Sequence, residues 1–148
     1  MNDIVAVDSV VFNHNNYWWI FTGVGDESNG VNKNLSAFYS ETFPSGNWTA
    51  HPQNPIVSGL HNSRMAGAVF HEKKCGRLIR PAQNCLKDYG KEVNINAILE
   101  LSPLVYREKI IKTIRPERDL SAVCTHTINH SDTYMLRDIK TRKWRFIP

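Results

Sequence analysis

Short apolar runs alternate with polar turns along most of the chain. "SVVFNHNNYWWIF" from Ser9, "GAVFHEKKCGRLIRP" from Gly67 and "HTINHSDTYMLRD" from His126 share one plan. Each sets a β-prone run, a polar turn and a second β-prone run in succession, which predicts three β-hairpins. Phe12, Phe70 and Ile128 hold equivalent places, and successive ones lie 58 residues apart. Equal spacing marks an internal repeat. "NLSAFYSET" (Asn34–Thr42) predicts a third strand and "GNWTAHP" (Gly46–Pro52) a short outer fourth. "EVNINAILEL" (Glu92–Leu101) and "EKIIKTIRP" (Glu108–Pro116) hold the same places in the next unit, and "KTRKWRF" (Lys140–Phe146) predicts another outer strand. Val, Ile and Thr favour strand over helix across Asn94–Ile114. Pro, Asn, Ser and Gly in "PQNPIVSGLHNSRMAG" (Pro52–Gly67) predict a connection without regular structure.

Four antiparallel strands per unit are the signature of a propeller blade. The expectation is therefore an all-β chain, one domain over 1–148, built as about two and a half four-stranded blades with long loops. A ring needs at least about four blades. The pattern thus calls for another chain or domain to complete it and cover the open edge.

Composition narrows the class of function. Of 148 residues, 41% are hydrophobic and 22% charged, an ordinary globular balance. The net charge is +4, with Lys and Arg gathered at Lys109–Arg118 and Arg137–Arg145. These runs are mixed with apolar residues and read as solvated faces; no nucleic-acid motif accompanies them. No apolar run approaches the roughly 20 residues of a membrane span, and the start lacks a secretory pattern. Cys75, Cys85 and Cys124 lack the close pairing of a zinc site and suit reduced thiols, so a cytoplasmic location is expected. No metal or cofactor is expected: there is no HxxxH or HxH pair beside a carboxylate, no Walker loop and no dinucleotide fingerprint.

The candidate chemistry lies where the repeat places strand entries. Asp8, Arg64 and His126 stand four, six and two residues before Phe12, Phe70 and Ile128. Blade geometry would bring this carboxylate, guanidinium and imidazole to one mouth, where they could fix hydroxyls or an anion and move protons. Asp8 and His126 are the candidate catalytic residues. Each also has an ordinary explanation: a turn-amide acceptor for Asp8, a packing histidine for His126. "GRLIRPAQNC" (Gly76–Cys85) is an unusual strand, with Arg80, Pro81, Gln83 and Asn84 among its apolar residues. Arg64, Arg80, Gln83 and Asn84 are the candidate substrate-binding residues, expected to face a shared cleft. Tyr17, Trp18, Trp19, Tyr39 and Trp48 could stack on sugar faces or, as strand aromatics commonly do, form core.

The stretches "VDSVVFNHNNYWWIF", "FYSETFPSGNWTAHPQNPIVS", "SRMAGAVFHEKKCGRLIRPAQNC", "YGKEVNINAILELSPLVYRE" and "THTIN" follow one another in order. Together they resemble the N-terminal domain of the plant glucosamine inositolphosphorylceramide transferases and related bacterial domains. The resemblance implies a five-bladed propeller similar to those of glycoside hydrolase family 43. It also implies that Asp8, Arg64, Arg80, Gln83 and His126 fall on shared polar positions. Asn84 departs from the pattern, which has aspartate there, and this weakens an acid–base role at that position. In the plant proteins glycosyl transfer belongs to a separate domain. The implied function is carbohydrate-related, with a glycan or sugar-containing substrate. A part of a glycan-transferring or hydrolysing enzyme, a non-catalytic glycan-binding module and a non-functional fragment all stay open.

Overall fold

The computed structural model describes residues 5–25, 30–44, 46–117, 121–131 and 133–142. Among these there are thirteen strands and no helix. The first hairpin joins β1 (Val5–His14) to β2 (Tyr17–Gly25). Its turn is Asn15–Asn16, both at positive φ (50° and 65°), the pattern whose twist matches the flanking strands and which asparagine tolerates. β3 (Asn34–Ser40) pairs with β2, and the two short strands β4 (Thr49–Ala50) and β5 (Val57–Ser58) both pair with β3. The second sheet runs in chain order: β6 (Phe70–His71), β7 (Leu78–Asn84), β8 (Glu92–Leu101) and β9 (Tyr106–Ile114). All these pairings are antiparallel.

The third unit, expected as part of a blade, has its hairpin but not the expected outer strand. β11 (Ile128–His130) and β12 (Met135–Arg137) form one two-stranded sheet. β10 (Ala122–Cys124) and β13 (Lys140–Thr141) form another, so Lys140–Thr141 is not an outer strand on the third hairpin. The rest of that expected strand, residues 143–146, lies outside the described residues. The first sheet also has five strands instead of four, because the connection after β4 contributes β5.

The second sheet is covered on both faces. On one, Leu78, Ile98, Leu101 and Tyr106 meet Phe12, Trp19, Phe21, Leu35 and Ala37 of the first sheet in the main core. Phe21 packs edge-on against Phe12 at 5.1 Å and against Tyr106 at 5.5 Å, the arrangement aromatic quadrupoles favour. On the other face a smaller cluster joins Val93 to Ala66 and Ile128. The segment before β6 fastens this side: Ala66 N–H donates to Pro81 O at 3.1 Å while Ala66 O accepts from Ile128 N–H at 2.7 Å. Gly67 follows at φ 129°, and a Cβ there would run into the Ile128 carbonyl, so only glycine lets the two backbones approach.

Strand parity explains the odd composition of β7. Side chains alternate between faces, so Arg80 and Gln83, three positions apart, point in opposite directions. Arg80 shares its face with Asn96 and Ala82 with Asn94, their direct cross-strand partners. Pro81 O accepts from Ala66 N–H, so the connection rather than a ladder neighbour on that side uses the carbonyl. The strand is polar because it carries two separate polar systems, one on each face.

Candidate functional site

A β-bulge in β1 sets the first residue of the site. Pairing with β2 slips between Val7 and Val10, and the intervening Asp8 sits at φ 50°. Such a bulge re-aims a side chain, and a non-glycine residue in the left-handed region is held there only by its surroundings. Here Ser9 Oγ and Thr22 Oγ1 are 2.8 Å apart, and Thr22 Oγ1 donates to Val7 O at 3.2 Å. These contacts tie the bulge to β2.

Asp8 Oδ2 then collects two partners from the second sheet. Arg64 Nε lies 2.7 Å away, and the Gln83 amide donates to the same oxygen at 3.4 Å. The Arg64 Nε–H has no directed hydrogen-bond acceptor, so at 2.7 Å the Asp8 contact is an ion pair rather than an aligned hydrogen bond. Arg64 Nη1 donates to Asn32 Oδ1. The Arg64 guanidinium also lies 5.1 Å from the centre of the Tyr89 ring, within cation–π range. Gln83 is fixed by donating to Met65 O at 2.9 Å.

His126 reaches the same place from the third unit. Its ring is 5.7 Å from that of Tyr89, so Tyr89 stands between Arg64 and His126. Gly90, next to it, is at φ 58°, where a Cβ would strike the His126 side chain. Asp138 holds His126 from behind. It accepts from the His126 and Thr127 backbone N–H groups at 3.0 and 2.7 Å through Oδ1, and its Oδ2 pairs with His126 Nδ1. With Nδ1 engaged by the carboxylate, Nε2 is the nitrogen able to exchange a proton with a ligand.

Asp8, Gln83, Tyr89 and His126 line one cleft of about 390 Å³, with Met65 and Asn129 among its other walls. The volume lies within the range of small-molecule sites. Arg64 backs Asp8 and does not line the cleft itself. Four of the six expected site residues are thus brought together: Asp8, Arg64, Gln83 and His126.

Arg80 and Asn84 are placed elsewhere. Arg80 is fully buried and forms a two-pronged ion pair with Glu108, Nε to Oε2 at 2.7 Å and Nη2 to Oε1 at 2.6 Å. Arg80 Nη2 also donates to Asn62 O at 2.8 Å, and the Tyr106 hydroxyl donates to Glu108 Oε2 at 2.5 Å. Asn62, Asn94, Asn96 and Thr113 extend the network through mutual side-chain hydrogen bonds. Burial pulls the Arg80 pKa down, but Tyr106 and Glu108 together raise it by more, so the guanidinium stays charged. Burial pushes the Tyr106 hydroxyl well above its usual range, with Arg80 opposing and Glu108 adding to the shift. Asn84 pairs with Glu92 at 3.3 Å and lines a separate cleft of about 180 Å³ with Lys87, Lys91 and Arg115.

Sequence reasoning passed over Asp138, Tyr89 and Glu108. Asp138 follows β12 and Tyr89 lies in the turn between β7 and β8, so neither stands at a repeated position. Glu108 gave no local signal either: only the register of β9 on β8 sets it opposite Ile98, whose face is shared by Arg80. Among the described residues, no group of three or more His, Cys, Asp or Glu side chains could hold a metal ion. No helix in the described residues is long and apolar enough to cross a membrane.

The comparisons with known proteins agree on one family. Residues 2–139 match the family described as "Glucosamine inositolphosphorylceramide transferase 1, N-terminal". The chain is 35% identical over 108 residues to glucosamine inositolphosphorylceramide transferase 1 of Arabidopsis thaliana, an alignment covering 69% of this chain and 13% of that protein. The proteins of the same name from Oryza sativa subsp. japonica and subsp. indica are each 33% identical over 110 residues, covering 72% of this chain and 14% of theirs. The aligned part is therefore about one seventh of these relatives. No solved structure matches the chain. Across nearly its whole length, this chain belongs to the family of the N-terminal region of glucosamine inositolphosphorylceramide transferase 1.

Proposed function

We propose that this chain is a carbohydrate-binding part of a glycan-processing transferase, with the cleft at Asp8, Gln83 and His126 receiving a sugar. The observation that carries the reading is the convergence of these three side chains, from three separate hairpin units, on one cleft of about 390 Å³. Asp8 is the acceptor for sugar hydroxyls, with Arg64 paired behind it. Gln83 and Asn129 add amide groups, and the exposed Tyr89 ring offers a face for stacking on a pyranose. The relatives' printed name supports a sugar or glycolipid substrate for the longer proteins of which this chain matches a part.

Two further parts of the proposal concern architecture and setting. Three hairpins spaced 58 residues apart, with a second sheet covered on both faces, support an incomplete five-bladed propeller of the glycoside hydrolase family 43 type. Another chain or domain would complete its ring. The three free cysteines suit a reducing, cytoplasmic compartment.

A catalytic reading is favoured by one specific observation, the pairing of Asp138 with His126 Nδ1. A carboxylate so placed orients an imidazole as a general base or acid through Nε2. In that reading His126 Nε2 takes the proton of an acceptor sugar hydroxyl as its oxygen bonds to the anomeric carbon of a donor glycoside. The donor's leaving group departs with the electrons of the broken C–O bond, and Asp138 stabilises the resulting imidazolium.

Titration calorimetry of the full chain against a panel of monosaccharides and short glycans tests the proposal. Binding by the unaltered chain, weakened about tenfold or more in Asp8→Asn, is the expected result; a lost charged hydrogen bond costs about 1.5–3 kcal/mol. A folded chain that binds no member of the panel, or an Asp8→Asn variant that binds equally well, overturns it. His126→Gln separates the two readings: loss of turnover with binding retained marks catalysis, loss of binding alone marks a module.

A further inference from the structure

The strand from His126 to His130 serves two clefts. His126, Thr127 and Asn129 face the polar one, while Ile128 and His130 face a second cleft on the other side of the hairpin. This second cleft, about 330 Å³, lies between the second sheet and the β11–β12 hairpin. Its buried residues are Ile79 and Ile128, its half-buried walls Ile95 and Ile114, and at its mouth Ile111 and Met135 are 41% and 61% exposed. Its charged lining residues are Glu72, Lys73, Lys74 and Lys112. Glu72 is already engaged: Arg77 Nη2 and Nε donate to its Oε2 at 2.6 and 2.9 Å, and Cys75 Sγ donates to the same oxygen. Among the described residues, Lys74 and Lys112 leave the rim positive.

An isoleucine-lined slot with lysines at its mouth selects for one chemistry. The slot takes a hydrocarbon chain, and the rim favours an anion over a cation or neutral head. A second copy of this chain is disfavoured as the occupant, because a symmetric contact through this face would bring the same lysines together. A bilayer surface is disfavoured because most of the apolar lining lies between two sheets rather than on an exposed flat face. We propose that this cleft binds a free long-chain fatty acid, its chain along Ile79, Ile95, Ile114 and Ile128 and its carboxylate at Lys74 and Lys112. The site is distinct from the sugar cleft, and the inference stands independently of the function proposed above.

Titration calorimetry with dodecanoate below its micelle concentration tests this, with dodecyltrimethylammonium as the chain of opposite charge. Dodecanoate should bind at one site and the cationic chain much more weakly. Lys74→Glu/Lys112→Glu changes two exposed residues, so the fold should persist. The double variant should weaken dodecanoate about tenfold, two surface ion pairs being turned to repulsion, and should strengthen the cationic chain. Ile111→Asp should weaken dodecanoate while leaving the far-ultraviolet circular dichroism unchanged. Equal binding of both amphiphiles would reduce the cleft to an unselective apolar surface and overturn the proposal. So would an absence of dodecanoate binding, sedimentation with anionic vesicles in place of monomer binding, or binding of an acidic amphipathic peptide but no fatty acid.

Discussion

Arg80 and Arg64 both pair with a carboxylate, yet their surroundings differ in a way that separates structure from chemistry. Arg80 is completely buried, Glu108 beside it is 9% exposed, and the pair's further side-chain partners are Asn62, Met65 and Tyr106. Arg64 is 11% exposed, but Asp8 is 38% exposed and borders a cleft. A closed network has no capacity left for a ligand. An open one keeps acceptor positions on Asp8 facing the cleft. The two arginines sit fewer than twenty residues apart, and the direction of each side chain decides its role. Changes to the closed pair should therefore appear in stability, and changes to the open pair in binding.

The largest expected effect comes from breaking the closed pair. Arg80→Met leaves Glu108 buried without its cation, and removal of one partner from a buried pair costs about 3–5 kcal/mol. Urea denaturation should show this as a large fall in midpoint. Arg80→Met combined with Glu108→Leu should recover a substantial part of the loss, because the burial cost of the carboxylate disappears with its partner. A single variant as stable as the unaltered chain would show that the buried pair does not hold the fold. Arg80→Lys should fall between the two, since a lysine cannot make the two-pronged contact that the guanidinium makes.

Breaking the open pair should be much milder for the fold. Arg64→Ala removes one partly exposed ion pair and one contact with Tyr89. A loss of about 1 kcal/mol or less is expected from the ion pair. Sugar binding in the cleft should fall by a larger factor than stability, because Asp8 loses the cation that orients it. Measuring denaturation and calorimetric affinity on the same variant sharpens the comparison. A large stability loss with unchanged affinity would place Arg64 with Arg80 as a structural residue.

These contrasts also show what could be read from the sequence. The all-β class and the hairpins were legible because short β-prone runs flank polar turns such as Asn15–Asn16. The repeat positions led to Asp8 and His126, and the polar character of β7 to Gln83. The polar composition of β7 groups Arg80 with Gln83, whereas their odd separation sends them to opposite faces of the strand. The Arg80–Glu108 pairing depends on β8 and its two register shifts against β9, which no local pattern discloses. Asp138 was hidden for a different reason. It acts across the short third hairpin, where its carboxylate, rather than a strand, holds residues 126–127.

The smallest effect expected is on pH dependence, and it tests a third kind of buried polar group. His51 is 2% exposed and packs near Trp19 at 6.3 Å between ring centres. Ser102 O can only accept, so His51 Nε2, 3.0 Å away, carries the hydrogen; Gln53 N–H can only donate, so Nδ1, 3.2 Å away, carries the lone pair. The ring is thus held in one neutral form, and protonation at Nδ1 would break the Gln53 contact. Burial lowers the His51 pKa below its ordinary 6.5, with the Ser102 contact partly opposing. The unfolded chain consequently takes up this proton first as pH falls. The stability contributed by neutral His51 is fully present above pH 6.5 and is lost as pH falls through the lower, folded value. His14 shifts in the same direction, through burial and then repulsion from His71, so it adds to the slope. His51→Gln keeps a donor for Ser102 O and cannot be protonated. Denaturation midpoints measured between pH 7.5 and about pH 5 should therefore decline less steeply in His51→Gln than in the unaltered chain. The Gln variant should also start lower at pH 7.5, having lost the acceptor for Gln53 N–H. Parallel slopes for the two proteins would mean that His51 does not titrate with unfolding, and the decline common to both would then come from other groups such as His14.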